Sequence, residues 1–500
     1  MQTLEEYFKK FRDNIVGIDA TFESPYGLQK VVYADWIASG RLYAPIEDKM
    51  LNLFGPMVGN THSEASETGT SMTHAYHLAH KIIKQHVNAN DNDIIITAGS
   101  GMTGVVNKLQ RILGLKVPEQ IHEFCKSKAT HGPFCSNIAP QDRPVVFITH
   151  MEHHSNHTSW LETISDVEIL EPDKNMKVNP DTLKKALKKY EKRKLKIGSF
   201  SACSNVTGLI PPYYELAKIM HQNGGYCFVD FAASAPYLKI DMHPKNPQEQ
   251  LDAIFFSPHK FLGGPGSSGV LIFNKELYKN TSPDQPGGGT VSWTNRWNEY
   301  SYVEDIEARE DGGTPGFLQA YRIALSIQLK EQMGCENIHR REKEMIEVIF
   351  EKLGKIEGLH ILSDNEKDRL GVFSFYVEGV HHNLIVKLLN DRYGIQVRGG
   401  CSCAGTYGHF LLHVNHEISR QITCKIDSGD LSDKPGWVRL SIHPTMTDSE
   451  IEIILQAIKE VIENAKDWGK DYEYCKHSGE FFHKTFPSKT EKDFVKWFEL

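Results

Sequence analysis

Lys260 is the residue on which any chemistry in this sequence turns. It lies in the run DAIFFSPHKFLGGPGSSG, residues 252–269, between the apolar stretch Ile254–Phe256 and a second apolar stretch from Gly269 to Phe273. Continuous apolarity of this kind marks a strand covered on both faces. The spacing therefore puts a lysine at the end of a buried strand, flanked by Ser257 and His259. A partly desolvated lysine is more readily neutral, and a neutral amine forms Schiff bases. Upstream, Asp230 ends another apolar strand, Tyr226–Asp230. A carboxylate and a lysine at two strand ends converge on one edge of a parallel sheet, where open α/β sheets place their ligands. That pair, a carboxylate for a pyridine nitrogen and a lysine for an aldehyde, is what pyridoxal phosphate asks of a protein.

Three further stretches offer matching groups. Ser100-Gly101-Met102-Thr103-Gly104 opens a helix directly after a strand, a place where free backbone N–H groups bind anions. Glu152 to Asn156 (EHHSN) follows a strand that ends at His150, so His153 can lie on an aromatic ring and exchange protons near neutral pH. Ser204 to Gly208 (SNVTG) sits at the next strand end, where Asn205 can hydrogen-bond a cofactor oxygen or a substrate group. His74, His77 and His80 recur every three positions on a helix, but no carboxylate or cysteine completes a metal set, and we assign no metal.

These groups need a scaffold that alternates strand and helix. Strands are expected at 31–35, 93–97, 145–149, 167–170, 196–200 and 226–230, besides those flanking Lys260. Helices are expected at 4–11, 73–86, 105–113, 180–192, 213–222, 317–333 and 338–353. Such alternation predicts a mostly parallel sheet with helices on both faces. We divide the chain into an N-terminal segment (1–30), a large domain (31–316) with an insertion at 118–142, and a small C-terminal α+β domain (317–464) with an insertion at 416–435. A tail (465–500) follows. The insertion holds Cys125 and Cys135, whose spacing is no metal signature; 59–69 reads as loop and 283–316 as Gly-rich.

Composition narrows the class. With 500 residues, 40% apolar and 24% charged, the chain has the make-up of an ordinary globular protein with two or three domains. Its net charge of −8 argues against nucleic acid as a partner, and no apolar run is long enough to span a membrane. The N-terminus, MQTLEEYFKKFRDN, is amphipathic and lacks the pattern of a secretory or transit peptide. Nine scattered cysteines favour a reducing compartment, and the expectation is a cytoplasmic protein.

In combination the motifs resemble the class V, fold type I, pyridoxal phosphate-dependent enzymes, nearest the cysteine desulfurase and selenocysteine lyase branch. That family orders a phosphate loop (here Gly101-Met102-Thr103), EHH-x-N (Glu152 to Asn156), SN-x-x-G (Ser204 to Gly208), D-x-A (Asp230 to Ala232) and S-x-HK (Ser257 to Lys260). The resemblance covers roughly residues 30 to 465. It implies a fold type I α/β large domain with a seven-stranded-type sheet and a Schiff base on Lys260. Asp230 would then lie at the pyridine nitrogen and His153 on the ring, with Thr103, Ser257 and His259 at the phosphate. Gly312-Gly313-Thr314-Pro315 matches a segment whose threonine reaches the neighbouring subunit's phosphate, implying a homodimer with shared active sites.

The C-terminal lobe bears on the reaction. Arg398-Gly399-Gly400-Cys401-Ser402-Cys403-Ala404 resembles the desulfurase pattern R-x-G-x-x-C-A, which puts the persulfide-forming nucleophile at Cys403 and Arg398 beside it; the form with Cys401 also resembles molybdenum-cofactor sulfurases. Arg439 matches the arginine that forks onto a substrate α-carboxylate. The resemblance thus implies removal of sulfur from L-cysteine, held on the cofactor as an aldimine, with alanine released and a sulfur-acceptor protein as partner. Two positions depart from the pattern: Ala233 stands where desulfurases usually carry Gln, and Gly405 to His409 replaces the usual continuation after the cysteine. Another class V reaction on a different amino acid, by an aminotransferase, epimerase or C–S lyase, is the alternative.

Overall fold

The computed structural model describes residues 2–61, 64–120 and 139–500. A seven-stranded sheet forms its centre. Its strands in chain order are β1 (Asp93–Ala98), β2 (Val145–Thr149), β3 (Asp166–Leu170), β4 (Lys196–Ser201), β5 (Tyr226–Asp230), β6 (Ala253–Phe256) and β7 (Gly269–Asn274). The spatial order is β1-β7-β6-β5-β4-β2-β3. Six strands run in one direction; β7 is antiparallel to both its neighbours, β6 and β1. The continuous apolarity of β2 and β6 has its reason in burial of every residue on both faces. One face packs around Ile95, Phe147 and Val229, the other around Ile96, Ile148 and Phe228, each beneath a layer of helices.

A second sheet holds four antiparallel strands in the order β8 (Leu359–Ile361), β9 (Val372–Val377), β11 (Trp437–Ser441) and β10 (Arg398–Gly400). The helices Cys335–Leu353, His382–Tyr393 and Asp448–Trp468 cover it. The N-terminal helix Leu4–Arg12 joins the same core through Phe8 and Phe11, and Arg12 forks onto Glu450 at 2.7 and 2.6 Å.

Several local expectations shift. The helix expected from Thr73 begins at Glu67, because Ser66 caps it by accepting the Gly69 N–H at 3.2 Å. The strand expected at 31–35 shrinks to Val32–Tyr33, which pairs in parallel with Ile395–Gln396. The polar stretch 416–435 contains the helix His416–Asp427, capped by Asn415. The Gly-rich stretch carries a hairpin, Val291–Thr294 with Tyr300–Tyr302, and the tail another, Tyr472–Cys475 with Glu480–His483. Cys125, Cys135 and most of the 118–142 stretch lie outside the described residues.

Candidate active site

Lys260 lies in the connection between β6 and its antiparallel neighbour β7, on the one-turn helix Pro258–Lys260. The carboxyl ends of β2, β4, β5 and β6 open onto a cleft of 210 Å³ lined by Lys260, Asp230, His153, Asn205, Thr103 and Arg439, among others. Desolvation pulls the Lys260 ammonium down, opposed by the charge of Asp230; desolvation likewise pushes the Asp230 carboxyl up, against a 2.7 Å hydrogen bond from the Ala232 N–H. His153 caps the helix His154–Leu161, its Nδ1 accepting the Ser155 N–H at 3.1 Å. Burial, reinforced by the Lys260 charge, pulls its imidazole down to about 3, so it is neutral across the physiological range.

The helix Met102–Ile112 points its N-terminus at the same cleft. Gly101 precedes it without a side-chain cap, and Ser257 Oγ accepts the Met102 N–H at 2.9 Å. A Cβ on Gly101 would stand 3.0 Å from His259 Cε1 and 3.2 Å from Ser257 Oγ, so only glycine lets these three come together without a shift. Thr103 Oγ1 lies 2.6 Å from Ser155 Oγ, and His259 Nδ1 lies 3.1 Å from the Ser100 carbonyl oxygen.

On the opposite wall, Asn205 donates from Nδ2 to the Ser402 carbonyl at 2.8 Å, while its buried Oδ1 has no hydrogen-bond partner among the described residues. Arg439 is 2% exposed and donates from Nη2 to Asp35 Oδ1 at 2.6 Å and from Nη1 to the Asn205 carbonyl at 3.3 Å. Arg398 lines the cleft but is exposed, and among the described residues its guanidinium enters no ion pair. Ala233 also lines the cleft. Thr314 lies outside it, exposed, with Oγ1 donating to Asn60 Oδ1 at 3.3 Å.

Cys403 is not among the residues lining the cleft; Ser402 is. Cys401 to Ala404 form a tight turn closed by the Ala404 N–H on the Cys401 carbonyl at 3.0 Å, with φ of +52° at Ser402 and +57° at Cys403. Two consecutive left-handed residues that are not glycine persist only where their surroundings hold them. Here Trp437 Nε1 donates to Ser402 Oγ at 3.2 Å, and the His154 N–H donates to the Cys403 carbonyl at 2.8 Å. His154 Nε2 in turn accepts the Gly405 N–H at 2.9 Å.

Three features were not assigned a role in the sequence. Asp35 faces Arg439 across 404 positions of chain, a pairing that no local pattern announces. Its segment is wedged beside the lysine loop: the Gly40 N–H donates to the His259 carbonyl at 2.9 Å, and a Cβ on Gly40 would stand 1.9 Å from the Phe261 carbonyl oxygen. Glu152 is fully buried and collects five donors. They are the N–H and hydroxyl of Thr149 at 3.2 and 2.6 Å, those of Ser201 at 3.0 and 2.6 Å, and Asn156 Nδ2 at 2.7 Å. It thereby ties the ends of β2 and β4 to the helix that His153 caps. Cys203 lines the cleft as a buried thiol, which desolvation pushes up. Of the helical histidines, His80 is buried with Nε2 3.2 Å from Thr97 Oγ1. Among the described residues no three potential metal ligands cluster.

The model of the family described as aminotransferase class V matches residues 135–454. A probable cysteine desulfurase of Halalkalibacterium halodurans is 27% identical over 378 residues, 75% of this chain and 84% of that protein. One from Staphylococcus epidermidis is 28% identical over 383 residues, with the same shares covered. Among solved structures, a cysteine desulfurase from Thermococcus onnurineus NA1 superposes with a TM-score of 0.68 at 23% identity, covering 87% of this chain and 95% of that one. The Escherichia coli cysteine desulfurase CsdA superposes with a TM-score of 0.69 at 21% identity, covering 91% and 98%. With the family model spanning well over half of its length and the fold matching over 87 to 91% of it, the chain belongs to the aminotransferase class-V family and is an enzyme of fold type I.

Proposed function

We propose that this enzyme binds pyridoxal phosphate and removes sulfur from L-cysteine, releasing alanine, with Cys403 taking the sulfur atom as a persulfide. The observation that carries the reading is the meeting of Lys260, Asp230 and His153 in one cleft with a helix N-terminus that has no side-chain cap. The residues fit the cofactor. Gly101 leaves the space between Ser257 and His259 open at the helix start, and Asn205 offers a buried oxygen that has no partner of its own. Thr103, Ser257, His259 and the backbone at Gly101 and Met102 would hold the phosphate. Asp230 would face the pyridine nitrogen and His153 the ring.

Bound pyridoxal phosphate supplies an electron sink that acidifies the α-carbon of an attached amino acid. Lys260 Nζ, which desolvation pulls toward its neutral form, is the base suited to take that proton. Arg439, held by Asp35, and Arg398, free at the rim, are the cations available to the substrate carboxylate. The relatives named cysteine desulfurases support L-cysteine as substrate. Thr314, exposed and outside its own chain's cleft, is left to serve a second subunit, so we read the working form as a homodimer. A cytoplasmic setting and a sulfur-acceptor protein complete the proposal.

One observation favours a second reading. Ser402 lines the cleft where a nucleophilic Cys403 is wanted, and Ala233 offers no side-chain hydrogen bond. A C–S lyase of the same fold would then give pyruvate, ammonia and hydrogen sulfide from cysteine and water. Incubating the cofactor-loaded enzyme with L-cysteine and identifying the carbon product separates the two: alanine supports the proposal, and pyruvate replaces it with the lyase.

A further inference from the structure

The turn that carries Cys403 also carries Cys401, and its geometry gives that second thiol a task. Residues 401–404 close on themselves through the Ala404 N–H and the Cys401 carbonyl at 3.0 Å, and positive φ at Ser402 and Cys403 is the signature of a type I′ turn. Consecutive Cα atoms are about 3.8 Å apart, so in a chain folded back this tightly the Cα atoms of residues 401 and 403 are separated by roughly 5 to 6 Å. That falls inside the range of about 4.4 to 6.8 Å spanned by disulfides. Both thiols are free and partly exposed, whereas Cys203 and Cys227 are buried. The two ends of the turn are anchored differently. Cys401 packs against the apolar cluster of Tyr407 and Trp437, while the Cys403 carbonyl is pinned by the His154 N–H at 2.8 Å. The intervening Ser402 is clamped by Asn205 and Trp437. The turn therefore sets two partly exposed cysteines on either side of Ser402, which lines the cleft, at a Cα separation that a disulfide can span.

We propose that, where no acceptor protein takes the sulfur, Cys401 is a resolving thiol that discharges it from Cys403. The step rests on the proposed desulfurase reading, in which Cys403 carries the sulfur as Sγ–SH. The Cys401 thiolate attacks Cys403 Sγ, the bond between the two sulfurs of the persulfide breaks, and its terminal sulfur leaves with the bonding electron pair as hydrosulfide. The Cys401 proton goes to solvent, and a Cys401–Cys403 disulfide remains. Persulfide and thiol become disulfide and hydrogen sulfide, with no outside oxidant. An external thiol reductant reopens the ring for the next turnover, so the enzyme releases free sulfide once and then stalls unless thiols are supplied. A disulfide in so small a ring is readily reduced, which suits a group that must open every cycle.

A single tryptic peptide, Gly399–Arg420, contains Cys401 and Cys403 and no other cysteine, so its mass reports the state of the pair. The cofactor-loaded enzyme, freed of reductant, is given one equivalent of L-cysteine, alkylated and digested without reduction. The expected wild-type peptide is unalkylated and two hydrogens lighter than the dithiol, with one equivalent of sulfide released. In Cys401→Ser the expected peptide carries one extra sulfur on Cys403, and sulfide release without reductant falls by about tenfold or more. Cys424→Ser, an exposed cysteine outside the turn, is expected to behave as wild type. A persulfide that survives on wild-type Cys403, with sulfide release equal to that of Cys401→Ser, overturns the resolving role alone. Absence of both sulfide and added sulfur in every variant overturns the desulfurase reading and the resolving step with it. Diamide oxidation of the wild type needs no amino acid: closure of the 399–420 peptide supports the pairing, and failure to close it refutes the pairing.

Discussion

The lysine edge of the large sheet and the cysteine turn of the small one face the same cleft but are built in opposite ways. Asp230 ends β5 in register with Phe255 of β6, and Lys260 follows β6 on the one-turn helix Pro258–Lys260, so both are carried by strands whose residues are almost wholly buried. Cys403 hangs from a turn of left-handed residues with no ladder to fix it. Its place depends on side-chain clamps from Asn205 and Trp437 and on the His154 backbone. A sheet edge supplies permanent geometry for a resident cofactor. A clamped turn supplies a nucleophile held only by a few side-chain and backbone hydrogen bonds, which suits a group that must take sulfur from the cleft and then give it up.

That contrast is breakable at four points, in descending size. Lys260→Ala should abolish the visible chromophore of bound cofactor and lower turnover by about a thousandfold or more, while the far-UV circular dichroism stays unchanged. If a chromophore and turnover survive, the lysine edge is not the cofactor site. Glu152→Ala strands five buried donors and should lower unfolding free energy by about 3 kcal/mol, read by denaturant titration. A change within experimental error would mean the strand ends hold without it. Trp437→Phe removes the indole hydrogen bond to Ser402 Oγ and should cut sulfide release about tenfold, yet leave cofactor loading as it was. Equal losses in both would erase the distinction between edge and turn.

The smallest effect concerns pH. The Lys260 pKa is lowered to about 8 by desolvation, so the fraction of neutral amine rises with pH through that value. The rate at which apoenzyme captures pyridoxal phosphate should rise severalfold between roughly pH 7 and 9 and then level off. The linkage has the same sign: with the folded pKa depressed, the unfolded chain binds more protons between about 8 and the ordinary lysine value, and apoenzyme stability gains as pH rises across that window. A capture rate indifferent to pH would mean the amine is already neutral or is not the capturing group.

The two regions also differ in how legible they were. The edge was readable because burial on both faces writes continuous apolar runs, and the chemistry-bearing residues follow those runs directly: Asp230 ends one, and Ser257 to Lys260 follow another. SN-x-x-G was readable by its place after a strand and by its resemblance to the family motif, and the structure adds the reason for its glycine: Gly208 at φ +73° packs against the Leu370 carbonyl, with a notional Cβ only 2.4 Å from that oxygen. The turn was readable as a motif, Arg398 to Ala404 with its two cysteines, but not as a conformation. Nothing in Cys-Ser-Cys foretells positive φ, because the conformation is imposed by tertiary clamps. Asp35 shows the same limit: it ended a readable apolar stretch, but its partner Arg439 arrives from the far end of the chain. The helix cap at Ser66 was absorbed into a stretch read as polar loop, and the one at Asn415 stands just before a stretch read as a polar insertion.

The most direct test of the account is the stoichiometry of sulfide and alanine formed from L-cysteine with excess reductant, measured for wild type and Cys403→Ala side by side. Wild type is expected to give equal sulfide and alanine. In Cys403→Ala both should fall by about a hundredfold or more, with the cofactor chromophore intact. Equal rates in the two proteins, or pyruvate in place of alanine, would contradict it.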